Sequence, residues 1–468
     1  MTGLDDGRQP APAPSGTDRT AVVIGASMAG LFAAAALAHA GYEVTLLDRD
    51  RLPQRPASRR GVPQDEQAHI LLYRGLTVIE ELLPGFRADL RGHGAVSSDA
   101  GEMPWLSEHG WLESSRRGLE VLSATRPLLE AVVRIHVLRH PLVRLSDGVT
   151  VNGLHRRVDG GWAVHTEVGG VEAAVVVDAS GRSSRLPEWL PELGHPPEQR
   201  VDARVGYSSR LFAERGSLPV RAGIMIISAP QIGTAGLALP VEHGRWLVAA
   251  AGFGDRRPPR DEEGYDRFLA GLRDPAIADL TAMLEPISPV RIHRQTSNHR
   301  RLWHRVAGWP DGLLVVGDAL CAFDPIYGQG ITVAAQQGRA LEVELHRGRR
   351  VDRRLQRELS SVTEIPWSIA TTADLRSPSC QEVPTPVQRI SMAWTNRLAI
   401  LAASGHPRAT DTLSSVNHLM APPAALLHPA LLYAGCRRLP TERLPRPAVV
   451  EELSRVRRER QRADPAGA

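Results

Sequence analysis

The sequence predicts an α/β fold: a parallel sheet assembled from distant segments, an inserted antiparallel sheet, and a helical C-terminal region. Three observations carry that prediction. Apolar, β-branched runs end on glycine at three separate places. Glycine-punctuated alternation marks the middle of the chain, and helical periodicity replaces it after Gly330.

The first run is Val22-Val23-Ile24-Gly25-Ala26-Ser27-Met28-Ala29-Gly30. Gly25 allows a tight turn out of a strand, and Gly30 lets the following helix pack closely on the sheet. Ser27 replaces the usual middle glycine but is still small. An alanine-rich helix over Leu31–Ala40 stops at Gly41, and Glu43–Asp48 reads as a second parallel strand. Asp48 follows at roughly the 20-residue spacing at which a carboxylate accepts ribose hydroxyls. A leader or membrane segment fits poorly, because Ala21–Ala40 contains glycines and lacks a basic flank. The second run, Val175-Val176-Val177-Asp178-Ala179-Ser180-Gly181, and the third, Leu313-Leu314-Val315-Val316-Gly317-Asp318-Ala319, repeat the strand-to-glycine pattern. Such turns bring backbone N–H groups and helix N-termini to a pyrophosphate. Three in this order point to a flavin dinucleotide.

Composition sets limits. A chain of 468 residues with 42% hydrophobic content holds two or three domains and a sizeable core. Net charge is only +4, and the arginine-rich stretches 347–354 and 455–462 alternate with other residues as solvated helix faces do, so nucleic acid is not an expected partner. Every basic residue among the 56 is arginine. Without lysine there is no Schiff-base chemistry and no P-loop. Cys321, Cys380 and Cys436 are too few and too scattered for a disulfide frame or metal site, and no His-Glu-x-x-His pattern occurs. A soluble, cytoplasmic, metal-free protein without stable membrane insertion is expected.

Residues 1–19 read as a disordered lead-in. An Arg/Pro-rich loop spans 49–64, and a helix is expected over Ala68–Leu83. Val149–Leu154, Trp162–Glu167 and Val171–Val177 read as a three-stranded meander with glycine turns. Between Val201 and Asn298, Ile224–Ser228, Ala235–Leu239 and Trp246–Ala251 read as strands of a separate antiparallel sheet, with a helix near Tyr265–Leu272. The turn Gly328-Gln329-Gly330 opens an amphipathic helix, Ile331–His346, and the tail past Ala421 is interrupted by prolines. The expected organisation is a discontinuous nucleotide domain (20–92, 118–200, 298–350), a substrate domain (93–117, 201–297), and a helical region with a flexible tail (351–468).

These segments together resemble FAD-dependent monooxygenases of the para-hydroxybenzoate hydroxylase fold, from about residue 20 to 440. The likeness implies a Rossmann-like FAD-binding domain, of the type shared with glutathione reductase. Arg60-Gly61-Val62-Pro63-Gln64, Ala68-His69-Ile70-Leu71 and Asp324-Pro325-Ile326-Tyr327-Gly328-Gln329-Gly330 are most similar to flavin epoxidases of polyether-antibiotic pathways, although Glu66-Gln67 stands where those relatives carry a basic pair. The resemblance implies an ADP site at Gly25, Ala26, Ser27, Met28, Ala29 and Gly30, with Asp48 and, more weakly, Arg49 at the adenosine end. Asp178 and Gly181 belong to its second motif. Gly317 and Asp318 form its Gly-Asp motif, the aspartate holding flavin hydroxyls. Pro325, Gly328, Gln329 and Gly330 present a helix N-terminus to the flavin. Asp318 also suits an ordinary helix N-cap. Arg126, in Ser123-Ala124-Thr125-Arg126-Pro127, resembles the family's phosphate-binding arginine, since a guanidinium offers paired donors; a surface role is the alternative. His69 is a candidate general acid or a structural histidine.

The resemblance further implies that reduced FAD meets O2 to form a C4a-hydroperoxide, which epoxidises a C=C bond of a hydrophobic polyketide or terpenoid, free or carrier-bound. NAD(P)H supplies electrons directly or through a separate reductase. Epoxidation needs no general base, and no catalytic carboxylate pair stands out. Ile224–Ile227 and Ala235–Leu239 are candidates for the greasy pocket, or plain core. Aromatic hydroxylation of a secondary metabolite is the near alternative; prenyl-chain reduction and a non-catalytic flavoprotein are others. A flavin halogenase would need a lysine that this chain lacks.

Overall fold

The computed structural model describes residues 19–62, 64–158, 160–228 and 232–463. The expected lead-in therefore lies outside the described residues, apart from Arg19. A five-stranded parallel sheet runs in the order Leu313–Val315, Val175–Asp178, Thr20–Ile24, Glu43–Asp48, Val143–Asp147. All three glycine-terminated runs thus lie side by side and finish at one edge. This is the architecture that the resemblance implies.

The helix Met28–His39 has almost no polar face and is buried nearly throughout. It must be covered on both sides, and the sheet and the helix Gly330–His346 do so. A Cβ on Gly338 would stand 2.7 Å from Phe32 Cβ, so the helices cross at glycine contact distance. A Cβ on Gly30 would stand 1.8 Å from the Gly25 carbonyl oxygen, which excludes any larger residue there.

A second sheet of eight strands contains Val205–Glu214, Arg245–Phe253, Thr234–Val241 and Ile224–Ile227 in an antiparallel run, extended by Trp105–Ser107 and Gly110–Trp111. Ile224–Ile227 and Trp105–Ser107 pair in parallel, so the sheet is mixed and not wholly antiparallel. One face buries Ile224, Ile226, Trp246 and Val248 against the helices Glu262–Ala270 and Ala276–Thr281. These two isoleucines are plain core. The other face carries the cross-strand rows Tyr207–Ala251–Ala235–Ile227 and Ser209–Ala249–Leu237–Met225.

Three sequence expectations need correction. Val171–Val177 is two strands: Gly169–Ala173 closes the meander, and Val175–Asp178 enters the parallel sheet. The helix expected from Ala68 starts at Tyr73, leaving 68–72 extended. The C-terminal tail docks where flexibility was expected. Its helix, Ala448–Ala463, buries Val450 and Leu453, while Ser454 Oγ and Arg457 Nη1 both donate to Asp279.

Candidate active site

A cleft of 510 Å³ opens where the parallel strands end, and it runs on toward the loops at 59–70, 293–295 and 323–331. Its walls come from all three glycine turns, and steric contact shows why. Gly25 has φ +102° and a Cβ there would meet the Ala179 carbonyl oxygen at 2.5 Å, locking the first turn to the second. Gly317 has φ +60° and a Cβ there would meet Ala29 Cβ at 2.4 Å, locking the third to the first. No L-residue with a side chain fits either position without strain.

Gly25, Ser27, Met28, Ala29, Asp48, Arg49, His69, Arg126, Gly181, Gly317, Asp318, Pro325, Gly328, Gln329 and Gly330 all line this cleft. Ala26, Gly30 and Asp178 do not. Ala26 is buried and donates its N–H to Asp48 Oδ2 at 2.7 Å. Gly30 lies beneath the turn. Asp178 is fully buried; Oδ1 accepts from Ser180 N and Oγ, and Oδ2 accepts from Ser184 Oγ. Its carboxylate shapes its own loop, so a direct cofactor contact is not its place.

A polar cluster surrounds the first turn. Arg126, only 4% exposed, donates through Nη2 to Ser27 Oγ at 2.9 Å and to Glu130 Oε2 at 3.0 Å. Arg59 Nε donates to Glu130 Oε1 at 2.8 Å, and its Nη1 lies 3.1 Å from Asp50 and 3.4 Å from Asp48. Against the pull of burial, Arg126 and Arg59 hold the Glu130 carboxyl below the usual range. Arg126 Nη1 and Arg59 Nη2 are buried without a hydrogen-bond partner among the described residues. Unsatisfied buried guanidinium arms are costly, and a pyrophosphate is an anion that would satisfy both. The residues therefore fit a dinucleotide. Arg59 was not singled out from sequence; it sits in a loop where arginines are common and nothing local distinguishes it.

At the other end, Asp318 follows the Gly317 turn with its Oδ2 3.7 Å from Arg182 Nε. Burial raises its carboxyl, while Arg182 and Arg126 oppose the rise. It makes no N-cap bond to the short turn that contains it. The long helix begins at Gly330 without a side-chain cap, and Gln329, Gly330 and Ile331 line the cleft. Its unpaired N–H groups and dipole thus favour negative charge at this point. His69 is a poor proton donor. Burial and the nearby Arg126 push its imidazole down to about 4, and its Nδ1 donates to the Gln67 carbonyl at 2.8 Å.

Sequence reasoning also missed a buried carboxylate pair, Asp324 and Asp374, because 50 residues and several elements separate them. Asp324 lines the cleft and accepts from Tyr207 Oη at 2.8 Å and Ile326 N at 3.1 Å. Asp374 accepts from Tyr327 Oη at 2.6 Å and from Asn298 Nδ2. Among the described residues, no group of three or more histidine, cysteine, aspartate or glutamate side chains could hold a metal, and no helix is long and apolar enough to cross a membrane.

Residues 18–369 match a family described as FAD binding domain. The chain is 30% identical over 336 residues to Protein Rv3254 of Mycobacterium tuberculosis, covering 68% of this chain and 71% of that one. It is 26% identical over 373 residues to the 6-methylpretetramide 4-monooxygenase of Streptomyces rimosus, covering 73% and 78%. Among solved structures, PqsL of P. aeruginosa in complex with 2-aminobenzoylacetate superposes with a TM-score of 0.58 at 17% identity, over 85% of this chain and 99% of that one. At that identity the likeness is one of fold.

Proposed function

The chain belongs to the FAD binding domain family and is an FAD-dependent monooxygenase, and from that premise we propose that it epoxidises a C=C bond of a hydrophobic polyketide or terpenoid. Bound and reduced, FAD supplies the electron pair that splits O2, with one oxygen entering substrate and the other leaving as water. The chain's own work is to hold and to exclude. Arg126 and Arg59 would hold the phosphates, Asp318 would accept flavin hydroxyls, and the N-terminus of the 330–346 helix would favour negative charge on the reduced flavin. Behind the Asp324–Gly330 turn, Ala235 and Ala251 belong to a buried apolar cluster against which Ile326 packs, and this dry backing would help to keep water from the reacting carbon.

The observation that favours epoxidation over ring hydroxylation is that the polar side chains at the cleft already have partners: His69 Nδ1 donates to the Gln67 carbonyl, and Asp324 accepts from Tyr207 Oη and Ile326 N. Alkene epoxidation needs no general base, whereas attack on a phenol gains from one that forms the phenolate. Aromatic hydroxylation is the second reading, favoured by the relative named as a 6-methylpretetramide 4-monooxygenase. NAD(P)H is the reductant, acting directly or through a partner reductase, and the substrate arrives free or on a carrier.

The test is product analysis under labelled dioxygen. Alkenyl and phenolic polyketides are offered with NAD(P)H and a flavin reductase. One labelled oxygen in an epoxide, or in the diol that epoxide opens to, supports the proposal; a labelled phenol with the alkene untouched refutes it.

A further inference from the structure

We propose that Asp324 and Asp374, linked through Asn298, keep at least one proton between them in the folded protein and pin the Asp324–Gly330 turn to both the second sheet and the C-terminal helices; they are positioning residues for the turn that faces the flavin. The inference rests on the reading of that turn given above.

The geometry joins three otherwise separate parts of the chain. Tyr207, on the Val205–Glu214 strand, donates to Asp324 at the start of the turn. Tyr327, inside the turn, donates to Asp374 at the end of the helix Glu364–Asp374. Asn298 bridges the two acids: its Oδ1 accepts from Asp324 N at 2.9 Å and its Nδ2 donates to Asp374 Oδ2. Asp324 is 1% exposed, and Asp374 and Asn298 are fully buried. Ile326, also in the turn, packs against Tyr207, Ala235 and Ala251.

No arginine among the described residues forms an ion pair with either acid. Arg182 faces Asp324 but donates to the Ser297 and Phe323 carbonyls, and Arg376 near Tyr327 is paired with Glu108. Asp202 and Glu382, on the remaining neighbouring segments, add negative charge. Two like charges in a dry site without a counter-ion are not both ionised. Burial raises both carboxyls, and Asp324 adds to the rise at Asp374. Tyr207 and Tyr327, driven up by burial and these same acids, stay as donors.

The sign follows from linkage. The folded acids keep a proton that the unfolded chain gives up near pH 4, so stability is greatest in acid and declines as pH rises through about 7. The test uses the full chain, loaded with FAD and stripped of it. Thermal midpoints of the stripped protein are followed from about pH 5 to pH 9 for wild type, Asp324→Asn and Asp374→Asn. Asparagine keeps an acceptor oxygen toward Tyr207 or Tyr327 and cannot ionise. We expect the wild-type midpoint to fall across this range and either substitution to flatten the fall. We also expect the wild-type Kd for FAD to weaken about tenfold toward alkaline pH, the yield of a one-unit change in proton affinity, with both variants flat.

Equal slopes in wild type and variants overturn the proposal. So does failure of both asparagine variants to fold, since each mimics the neutral partner. A protein that never binds FAD refutes the cofactor reading instead, and the stripped-protein slopes still decide whether the pair keeps a proton.

Discussion

Arg126→Lys separates cofactor gripping from folding. Arg126 opens the helix Arg126–Leu138, where a cation opposes the helix dipole, and it is buried besides. Burial pushes its guanidinium down, and Glu130, four residues on, restores part of what burial costs. A lysine retains the charge beside Glu130, which also keeps Arg59 at 2.8 Å, so the stripped protein is expected to melt close to wild type. What lysine cannot retain is the second arm. Nη1 has no partner among the described residues, and in our reading a phosphate oxygen supplies it. One charge-assisted hydrogen bond contributes about 1.5–3 kcal/mol, so FAD should bind roughly ten- to a hundredfold more weakly. Quenching of FAD fluorescence on titration into stripped protein reads the Kd directly. A variant that melts like wild type and binds FAD within about twofold, as loss of an exposed contact would allow, refutes the role given to Nη1.

Asp318→Ala should lose its yellow colour on desalting, because the side chain is offered to the cleft and has no donor among the described residues closer than Arg182 at 3.7 Å; a fully loaded variant contradicts the assignment. Gly25→Ala meets both a positive φ and the Ala179 carbonyl, and should lower stability in urea by about 1–3 kcal/mol or more; an unchanged midpoint would show that the turn adapts. His69→Gln should leave the rate profile between about pH 6 and pH 9 without a lost limb, since an imidazole held near 4 does not titrate there. A limb near the ordinary histidine value that disappears with the substitution would restore the general-acid role.

What was legible in the sequence is what local chemistry dictates. The strand Glu43–Asp48 lies where its alternation places it, and the helix expected from Ile331 begins one residue earlier and ends at His346 as read. The three glycine turns were legible because each glycine has a positive φ, to which Gly25 and Gly317 add a close approach that leaves no room for a Cβ. Segments lacking such a constraint were misread. In Val171–Val177, a largely apolar run, interrupted only by Glu172, conceals the change of sheet at Ala174, since meander and parallel strand want the same residues. Ile224–Ile227 alternates faithfully, but sequence alone does not say which face is core; the structure buries Ile224 and Ile226 and leaves Met225 and Ile227 half-buried. Arg59, Asp324 and Asp374 meet their partners only through tertiary folding, whereas Glu130 stands at i,i+4 from both Arg126 and Arg134, a helical spacing that the sequence could have offered.

The acids of the three motifs also divide the labour differently from what their spacing suggests. Asp48 accepts from Ala26 N and Asp50 N, and Asp178 accepts from the serines of its own loop. Both spend their lone pairs on the protein, holding backbone amides in the conformation that the cofactor meets. Only Asp318 presents a carboxylate to the cleft without a committed backbone donor. Gln337 and Gln356 play the same supporting part for the third run, accepting from Gly317 N and Val315 N at 2.8 Å each. A site assembled this way is rigid before ligand arrives, so binding energy is not consumed in ordering loops. The same rigidity makes the Asp324–Gly330 turn the exception worth probing, because its anchors are two acids that cannot both remain charged.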